Sequence, residues 1–94
     1  MPKVLISDSM DSIAEKILSL NNIEVDVKTD FTIEELIAKI PSYDGLIVRS
    51  ATKVTKKIID NAKNLKIIGR AGAGVDNIDL ISAKEKKILV MNTP

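Results

Sequence analysis

The sequence predicts an α/β domain built on a doubly wound parallel sheet. Short apolar runs alternate along the chain with stretches whose apolar residues recur at helical spacing. The connections between them are short, so consecutive strands are expected to run parallel with a helix crossing over between them. Because two separate cores do not fit in 94 residues, we expect residues 1–94 to form one domain.

The first part of the chain predicts a strand, a helix and a second strand. Residues 4–6 are an apolar run that ends at Ser7. A helix capped by Asp11 or Ser12 is expected next, because the apolar residues that follow have helical spacing: Ile13, Ile17, Leu18 and Leu20. Residues 23–27 then alternate between apolar and acidic side chains, as in a half-buried edge strand.

The second helix has the best-defined start. Thr32 and Glu35 have the spacing of a capping box, and Phe31 and Leu36 have that of a hydrophobic staple. Pro41 is expected to end this helix. Four residues form its predicted apolar face: Ile33, Leu36, Ile37 and Ile40.

The rest of the chain predicts three strands and two helices. Apolar runs place the strands at residues 45–48, 65–68 and 88–91. Thr55 is expected to cap the first of the two helices, and Asp76 or Asn77 the second. Their inward-facing residues are predicted to be Ile58, Ile59 and Ala62, followed by Ile78, Ile81 and Ala83. For the five strands we predict the flavodoxin-like order 2-1-3-4-5.

Composition excludes several classes of function. The chain has no cysteine, hence no disulfide or thiolate metal site, and no histidine to act as a general acid or base. A net charge of +1 gives no reason to expect a nucleic-acid partner or an anionic membrane surface. No apolar run approaches the roughly 20 residues of a membrane-spanning helix. We therefore expect a cytoplasmic protein without a metal site.

Two arginines stand at the edge of the sheet where doubly wound folds bind ligands. Arg49 follows the third predicted strand and Arg70 the fourth, whereas the twelve lysines are expected on helix surfaces and in turns. Arginine presents a planar fork of donors that suits carboxylate and phosphate groups. We therefore predict a small-anion site. The alternative is that each arginine pairs with a nearby acid, such as Asp8 or Asp44.

A glycine-containing segment follows the fourth predicted strand. Residues 72–76 are similar to the start of the dinucleotide fingerprint G-x-G-x-x-G, but Asn77 stands where the third glycine would be. As a cofactor fingerprint the match is therefore weak. Instead, the backbone N–H groups of this segment are predicted to form a nest at a helix N-terminus, which suits a carboxylate. The alternative is a turn that needs glycine only for its backbone geometry.

Four segments occur in a characteristic order along the chain: VLISD at residues 4–8, GLIVRSATKVT at 45–55, GRAGAGVDNID at 69–79 and ILVMNTP at 88–94. Together they resemble the start of the NAD-dependent D-2-hydroxyacid dehydrogenases, in particular those that oxidise 3-phosphoglycerate to 3-phosphohydroxypyruvate in serine biosynthesis. The resemblance implies the substrate-binding domain of an oxidoreductase that uses NAD. It also implies a flavodoxin-like fold, in agreement with the periodicity.

The resemblance implies roles for particular residues. The substrate, phosphoglycerate or phosphohydroxypyruvate, would contact Arg49, Ser50, Arg70, Gly72, Ala73, Gly74 and Val75. Ala73 would also meet the edge of NAD in the complete enzyme; many family members carry a hydroxyl residue there. Lys87 replaces a glycine that is common before the last strand, and this replacement costs free energy if its φ is positive.

The resemblance further implies that the chemistry belongs to residues that this sequence lacks. In the family a glycine-rich NAD domain follows the Asn-Thr-Pro segment and supplies the catalytic arginine, glutamate and histidine. We therefore expect a truncated piece of a homo-oligomeric enzyme, with no catalytic residue and no bound NAD of its own. It should fold, be inactive, bind substrate weakly and self-associate through uncovered apolar surface.

The alternative is a free-standing module that binds a small anion without catalysis. Two better-known modules of this fold are disfavoured. A phosphoacceptor receiver domain needs an acidic pair after the first strand and an aspartate after the third, where this chain has Asp8 alone and Arg49. A flavodoxin needs a glycine-containing phosphate loop and aromatic residues around the flavin, but residues 7–12 contain no glycine and the chain has one Phe and one Tyr.

Overall fold

The computed structural model describes residues 2–8, 21–72 and 74–93. Five strands form one parallel sheet: β1 (Lys3–Ile6), β2 (Glu24–Val27), β3 (Gly45–Val48), β4 (Ile67–Ala71) and β5 (Leu89–Thr93). Their order is β2-β1-β3-β4-β5, which confirms the predicted flavodoxin-like topology. The helix predicted from Ile13 to Leu20 lies outside the described residues, as does Ala73.

Three helices are described: α1 (Ile33–Lys39), α2 (Lys56–Asn61) and α3 (Leu80–Glu85). α2 contacts both α1 and α3, so all three cover the same face of the sheet. Between helices and sheet lies an aliphatic core that includes Leu5, Leu36, Leu46, Val48, Ile58, Ile59 and Ile68. Burial of each larger side chain contributes roughly 1.5–3 kcal/mol. In the part of the chain that the structure describes, no helix combines the length and apolarity needed to cross a membrane.

Local sequence signals fix both ends of α1. The Thr32 side chain accepts a hydrogen bond from the Glu35 N–H, and the Glu35 carboxylate accepts one from the Thr32 N–H, which confirms the predicted capping box. These bonds, the backbone one foremost, lower the pKa of Glu35. The helix ends at Lys39, and Pro41 lies in the single 3-10 turn (Ile40–Ser42) that follows. The predicted apolar face is wrong only at Ile33, which is 59% exposed because it lies in the first turn, beyond the core.

β4 begins and ends later than predicted, since its residues are Ile67–Ala71 instead of 65–68. The reason is pairing on both sides: Arg70 lies opposite Val48 of β3 and opposite Asn92 of β5. Arg70 is therefore a strand residue and not part of a loop. β5 is likewise shifted toward its carboxyl end relative to the predicted residues 88–91.

The predicted caps of α3 are wrong, because Asp79 and not Asp76 or Asn77 caps this helix. The Asp79 carboxylate accepts a hydrogen bond from the Ser82 N–H at 3.0 Å. Residues 75–78 form a turn, in which the Ile78 N–H donates to the Val75 carbonyl at 3.1 Å, and Ile78 then pairs with Val54 in an isolated parallel bridge. As a result the helix starts later than predicted and is turned so that Ser82 and Ala83 are buried. Ile81, predicted to face inward, is 74% exposed.

The end of α3 explains the conformation of Lys87. The Ile88 N–H donates to the Ala83 carbonyl at 2.9 Å, and the Lys87 N–H donates to the Lys84 carbonyl at 3.0 Å. This hydrogen-bond pair is a Schellman motif, which places the residue after the cap in the left-handed region. Lys87 has φ 59°, so the positive φ considered at this position is confirmed.

A polar network ties β1, β2 and the start of β3 together near the amino edge of the sheet. The Tyr43 hydroxyl donates to the Asp26 carboxylate at 2.7 Å, and the Lys3 ammonium lies 3.6 Å from the same carboxylate. The Lys3 N–H donates to the Asp44 carboxylate at 2.9 Å. Burial, followed by the hydrogen bond and charge of Asp26, raises the pKa of Tyr43 to about 12.

Candidate functional site

The carboxyl ends of the strands form the edge where ligands bind in doubly wound folds. Ser7 and Asp8 follow β1, residues 49–54 follow β3, residues 72–79 follow β4, and β5 brings Asn92 beside Arg70. Polar side chains therefore converge on this edge from four neighbouring strands.

Asp8 is a buried carboxylate that organises the loop after β3. One of its oxygens, Oδ2, accepts hydrogen bonds from the N–H groups of Arg49 at 2.7 Å and Thr52 at 2.9 Å. The Thr52 hydroxyl donates to the other oxygen, Oδ1, at 2.5 Å. Because that donation uses the Thr52 proton, the Ser7 hydroxyl, 3.0 Å away, is the donor to Thr52 Oγ1. Three donors thus compensate the burial of the Asp8 carboxylate, which is 5% exposed.

Asn77 holds the same loop from the side of β4. Its side-chain Nδ2 donates to the carbonyl of Arg49 at 2.6 Å and to that of Thr52 at 2.7 Å. Its own carbonyl accepts from the Val54 N–H at 2.9 Å. Asn77 is buried, so it joins the segment after β4 to the loop after β3 through three hydrogen bonds shielded from solvent.

Arg70 extends from β4 across the glycine segment. Its Nη1 donates to the Gly74 carbonyl at 3.1 Å, and its Nη2 lies 4.0 Å from the Asp76 carboxylate. The Arg70 side chain is only 13% exposed, whereas that of Asp76 is 92% exposed, so solvent weakens this ion pair. Arg70 therefore supports the segment and also presents its guanidinium at the edge of the sheet.

The glycine segment has a backbone that other residues adopt only with strain. Gly72 has φ 144° and Gly74 has φ 82°. The Asn92 side chain donates to the Gly72 carbonyl at 3.4 Å. Among the described residues, no hydrogen bond uses the N–H of Gly74 or of Val75. Contact between these two donors and a ligand stays a prediction.

The structure brings most of the predicted site residues together. Arg49 directly follows Val48, the β3 residue opposite Arg70, so the two arginines leave neighbouring strands at the same edge. Ser50 lies in the exposed tip of the β3 loop, and Val75 packs partly against the core. Binding by these residues, and by Gly72 and Gly74, stays a prediction; the position of Ala73 lies outside the described residues.

One feature of the predicted nest is wrong. The glycine segment does not adjoin a helix N-terminus, because residues 76–79 separate it from α3 and Asp79 caps that helix with its own carboxylate. A dinucleotide pyrophosphate does not fit such an arrangement, since it would meet a carboxylate where it needs helix N–H groups. A pyrophosphate placed at this segment would therefore lack the helix N-terminus that the dinucleotide fingerprint provides.

Asp8, Thr52 and Asn77 contribute more to this edge than the sequence indicates. Asp8 was predicted as a possible partner for an arginine side chain, yet it accepts a hydrogen bond from the N–H of Arg49. Asn77 was predicted as a possible helix cap and as the residue that breaks the glycine fingerprint, yet it binds two carbonyl groups of the loop after β3. A buried acid directly after the first strand and an amide at the third glycine position were the signals that could have indicated them.

A cavity of about 230 Å³ adjoins the hydrogen-bonded side chains of Ser7, Asp8 and Thr52. Polar groups of Ser7, Asp8 and Thr52 line it together with Phe31 and Leu36. Neither arginine is among its described lining residues, so the predicted anion site is the open edge of the sheet and not this cavity. Within the described ranges, no cluster of acidic residues is arranged to hold a metal ion.

Comparisons with known proteins agree with this architecture. Residues 4–94 match the model of the family described as D-isomer specific 2-hydroxyacid dehydrogenase, catalytic domain. The D-3-phosphoglycerate dehydrogenase of Sus scrofa is 55% identical over 92 residues, which cover 98% of this chain and 17% of that protein. The chain thus spans about one sixth of the length of such curated relatives.

Solved structures give the same result. The PH0520 protein of Pyrococcus horikoshii OT3 superimposes with a TM-score of 0.92 at 35% identity, over 99% of this chain and 28% of that one. An NAD+-bound 3-phosphoglycerate dehydrogenase of Entamoeba histolytica gives 0.87 at 38% identity, over 99% and 33% respectively. With its sheet order, its carboxyl-edge loops and a family match over nearly its whole length, the chain belongs to the D-isomer specific 2-hydroxyacid dehydrogenases.

Proposed function

We propose that these residues are the substrate-binding part of an NAD-dependent D-3-phosphoglycerate dehydrogenase, which oxidises 3-phosphoglycerate to 3-phosphohydroxypyruvate in serine biosynthesis. The observation that carries the proposal is the convergence of Arg49, Arg70 and the N–H groups of Gly74 and Val75 on one edge of the sheet. The particular hydroxyacid is taken from the similarity to D-3-phosphoglycerate dehydrogenases.

The proposed substrate has two anionic ends, a phosphate and a carboxylate. Arginine forks bind either end through paired, charge-assisted hydrogen bonds. The N–H groups of Gly74 and Val75 suit the carboxylate, and Ser50 at the tip of the β3 loop adds a hydroxyl. These residues bind and orient the substrate; they do not themselves move a proton or a hydride.

NAD, when bound to the whole enzyme, accepts the hydride from the substrate carbon. Because the glycine segment does not adjoin a helix N-terminus, we propose that other residues hold NAD, with Ala73 facing the edge of the nicotinamide. The catalytic acid–base and electrophilic residues are likewise proposed to come from elsewhere in the enzyme. The 94-residue chain on its own is expected to be inactive.

The remaining parts of the proposal concern partners and location. The ligand is a small organic anion, and the whole enzyme is proposed to be a cytoplasmic homo-oligomer that needs neither nucleic acid nor a membrane. Leu89 and Met91 of β5 are more than half exposed. This apolar surface supports the expectation that the 94-residue chain self-associates at high concentration.

The test is a steady-state assay of the whole protein, in which NADH formation is followed with 3-phosphoglycerate as substrate. Arg70→Ala is expected to lower kcat/KM by roughly 100-fold, since a charge-assisted, bidentate contact is lost. Lys63→Ala removes an exposed cation remote from the site and should stay within about twofold. Arg70→Lys, which keeps the charge but not the fork, should fall between them.

A second substrate makes the assay specific. D-Lactate lacks the phosphate, so the unaltered protein should turn it over far less efficiently than 3-phosphoglycerate. Equal efficiency with both would contradict the proposed substrate. If no NADH forms while 3-phosphoglycerate still binds, the free-standing anion-binding module becomes the better description.

A further inference from the structure

The loop of residues 49–52 is held by side chains at both of its ends. The N–H groups of Arg49 and Thr52 both donate to the Asp8 carboxylate. The carbonyl groups of the same two residues both accept from the Asn77 amide. The N–H and carbonyl groups of both Arg49 and Thr52, the first and last residues of the loop, are therefore hydrogen-bonded to these two side chains. Ser50 and Ala51 between them are exposed.

The two gripping side chains come from different parts of the sheet. Asp8 follows β1, 41 residues before Arg49, and Asn77 belongs to the segment after β4, 28 residues beyond it. Asp8 is 5% exposed and Asn77 is 7% exposed, so water does not readily replace either contact. The Asn77 backbone is itself fixed through its carbonyl, which accepts from the Val54 N–H.

The orientation of the Asn77 amide follows from these contacts. Both Nδ2 protons are used by the two carbonyl groups, and Oδ1 is buried with no partner among the described groups. A flipped amide would set Oδ1 against two carbonyl oxygens, which is repulsive. Asn77 thus leaves an acceptor unsatisfied in order to hold the loop, a cost that a residue with only a packing role need not carry.

We infer that Asp8 and Asn77 are positioning residues, which together clamp the β3 loop and fix Arg49 and Ser50 relative to Arg70. The inference deepens the proposed function and rests on it for the identity of the anion. A loop ordered before the ligand arrives pays less conformational entropy on binding than one that must be ordered by it. The clamp therefore raises substrate affinity without touching the substrate.

Asp8 poses an electrostatic question, because it is a negative charge beside an anion site. The clamp uses its oxygens as acceptors and does not need the charge. An asparagine at position 8 can accept both N–H groups with its oxygen and donate to Thr52 Oγ1 with its amide, so Asp8→Asn keeps the three contacts. Asp8→Ala keeps none of them. These two variants separate a hydrogen-bonding clamp from a charge effect.

Two NMR measurements on the 94-residue chain test the inference. The first is amide hydrogen exchange at Arg49 and Thr52. Asn77→Leu and Asp8→Ala should each accelerate this exchange by about tenfold or more, with Ile68 of the core unchanged. Asp8→Asn should stay within about threefold. The matched control is Asn64→Leu, because Asn64 also donates to a backbone carbonyl, that of Pro41 at 2.8 Å, but at an exposed place away from the site.

The second measurement is a titration with 3-phosphoglycerate, followed at the amides of Ser50 and Gly74. Asn77→Leu and Asp8→Ala should weaken binding by about tenfold, and Asp8→Asn should restore it to within about threefold of the unaltered chain. If Asn77→Leu does not fold, Asn77→Asp serves instead, since it has the same shape but cannot donate at neutral pH.

The outcomes separate the clamp from the proposed substrate. Unchanged exchange at Arg49 and Thr52 in Asn77→Leu and Asp8→Ala overturns the clamp, as does an Asp8→Asn variant that is as impaired as Asp8→Ala. If 3-phosphoglycerate shifts neither the Ser50 nor the Gly74 amide of the unaltered chain, even at the high concentrations that weak binding requires, the proposed substrate fails. Hydrogen exchange at Arg49 and Thr52 still tests the clamp in that case.

Discussion

The two edges of the sheet use most of their polar side chains differently: Tyr43, Lys3 and Asp26 bind one another at the amino edge, whereas Asp8 and Asn77 hold the backbone of a loop at the carboxyl edge. At the amino edge, Tyr43 and Lys3 share the Asp26 carboxylate. At the carboxyl edge, Asp8 and Asn77 bind N–H and carbonyl groups of the β3 loop. At the amino edge the polar side chains satisfy one another's hydrogen bonds and charges, which stabilises the fold. The arrangement at the carboxyl edge orders the loop that carries Arg49 and Ser50, two residues of the proposed anion site.

The same contrast holds for residues with positive φ. At the carboxyl edge both such residues are glycines, Gly72 and Gly74, beside the predicted anion site. At the amino edge they are Asn22, which precedes β2, and Lys87, which follows the last turn of α3. Left-handed backbone costs a residue with a side chain roughly 1–2 kcal/mol. The glycine segment avoids this cost beside the proposed anion site, whereas Lys87 at the end of α3 does not.

Among the substitutions that test this difference between the two edges, Gly74→Ala is expected to have the largest effect. A Cβ at this position meets only ordinary contacts, 3.8 Å from Arg70 Nη1 and from Asp76 Oδ1, so the penalty comes from φ 82°. We expect a loss of about 1–2 kcal/mol in the free energy of unfolding. Binding of 3-phosphoglycerate should weaken by roughly tenfold, because the Gly74 and Val75 N–H groups are displaced.

Gly69→Ala is the matched control for this variant. Its Cβ would lie 3.9 Å from Ile47 Cγ1, and Gly69 is not among the described residues with positive φ. In Gly69→Ala the free energy of unfolding and the affinity for 3-phosphoglycerate should both stay close to those of the unaltered chain. Denaturant unfolding and NMR titration measure them; equal effects of the two substitutions would show that the segment does not depend on its left-handed glycine.

The second prediction concerns Tyr43→Phe at the amino edge. Loss of the hydroxyl bond to Asp26 should cost about 1 kcal/mol of unfolding free energy and leave anion binding unchanged. The pKa of Tyr43 is raised to about 12 in the folded chain, from 10.0. Between these values the folded state keeps a proton that the unfolded state loses, so stability falls as pH rises through this window.

Subtracting the stability of Tyr43→Phe from that of the unaltered chain isolates the titration of Tyr43. All other titratable residues are the same in both chains. The stability gap between unaltered chain and Tyr43→Phe should therefore narrow as the pH rises above 10, when chemical unfolding is followed at several pH values. A gap that is constant up to pH 12 would contradict the raised pKa, and weaker anion binding would contradict the separation of the two edges.

Local signals account for what could be predicted of the fold. The capping box of Thr32 and Glu35 and the cap at Thr55 depend on residues three apart, and both are confirmed. The start of α3 depends instead on the pairing of Ile78 with Val54, two segments far apart in sequence. No local pattern carries that pairing. The cap at Asp79 and the exposure of Ile81 were missed for this reason.

The residues of the candidate site also differ in how far the sequence predicts them. Arg49 and Arg70 were predictable because their residue type and their place at strand ends are both visible in the sequence. The contact between Asp8 and the Arg49 N–H joins residues 41 apart, and it involves a backbone group that carries no sequence signal. The residues that present donors to an anion were thus more predictable than those that position them.

The smallest effect is expected from Lys87→Gly, which removes a strained residue at the amino edge. Lys87 has φ 59° after the Schellman motif of α3, and glycine adopts this conformation without a steric penalty. The extra freedom of glycine in the unfolded chain offsets part of the gain, so we expect about 0.5–1 kcal/mol of added stability. Asn22→Gly is the matched control: Asn22 has φ 60°, but asparagine tolerates the left-handed region, so its replacement should gain less. Thermal unfolding of the two variants decides the point, because equal gains would mean that the cost at Lys87 does not arise from its side chain.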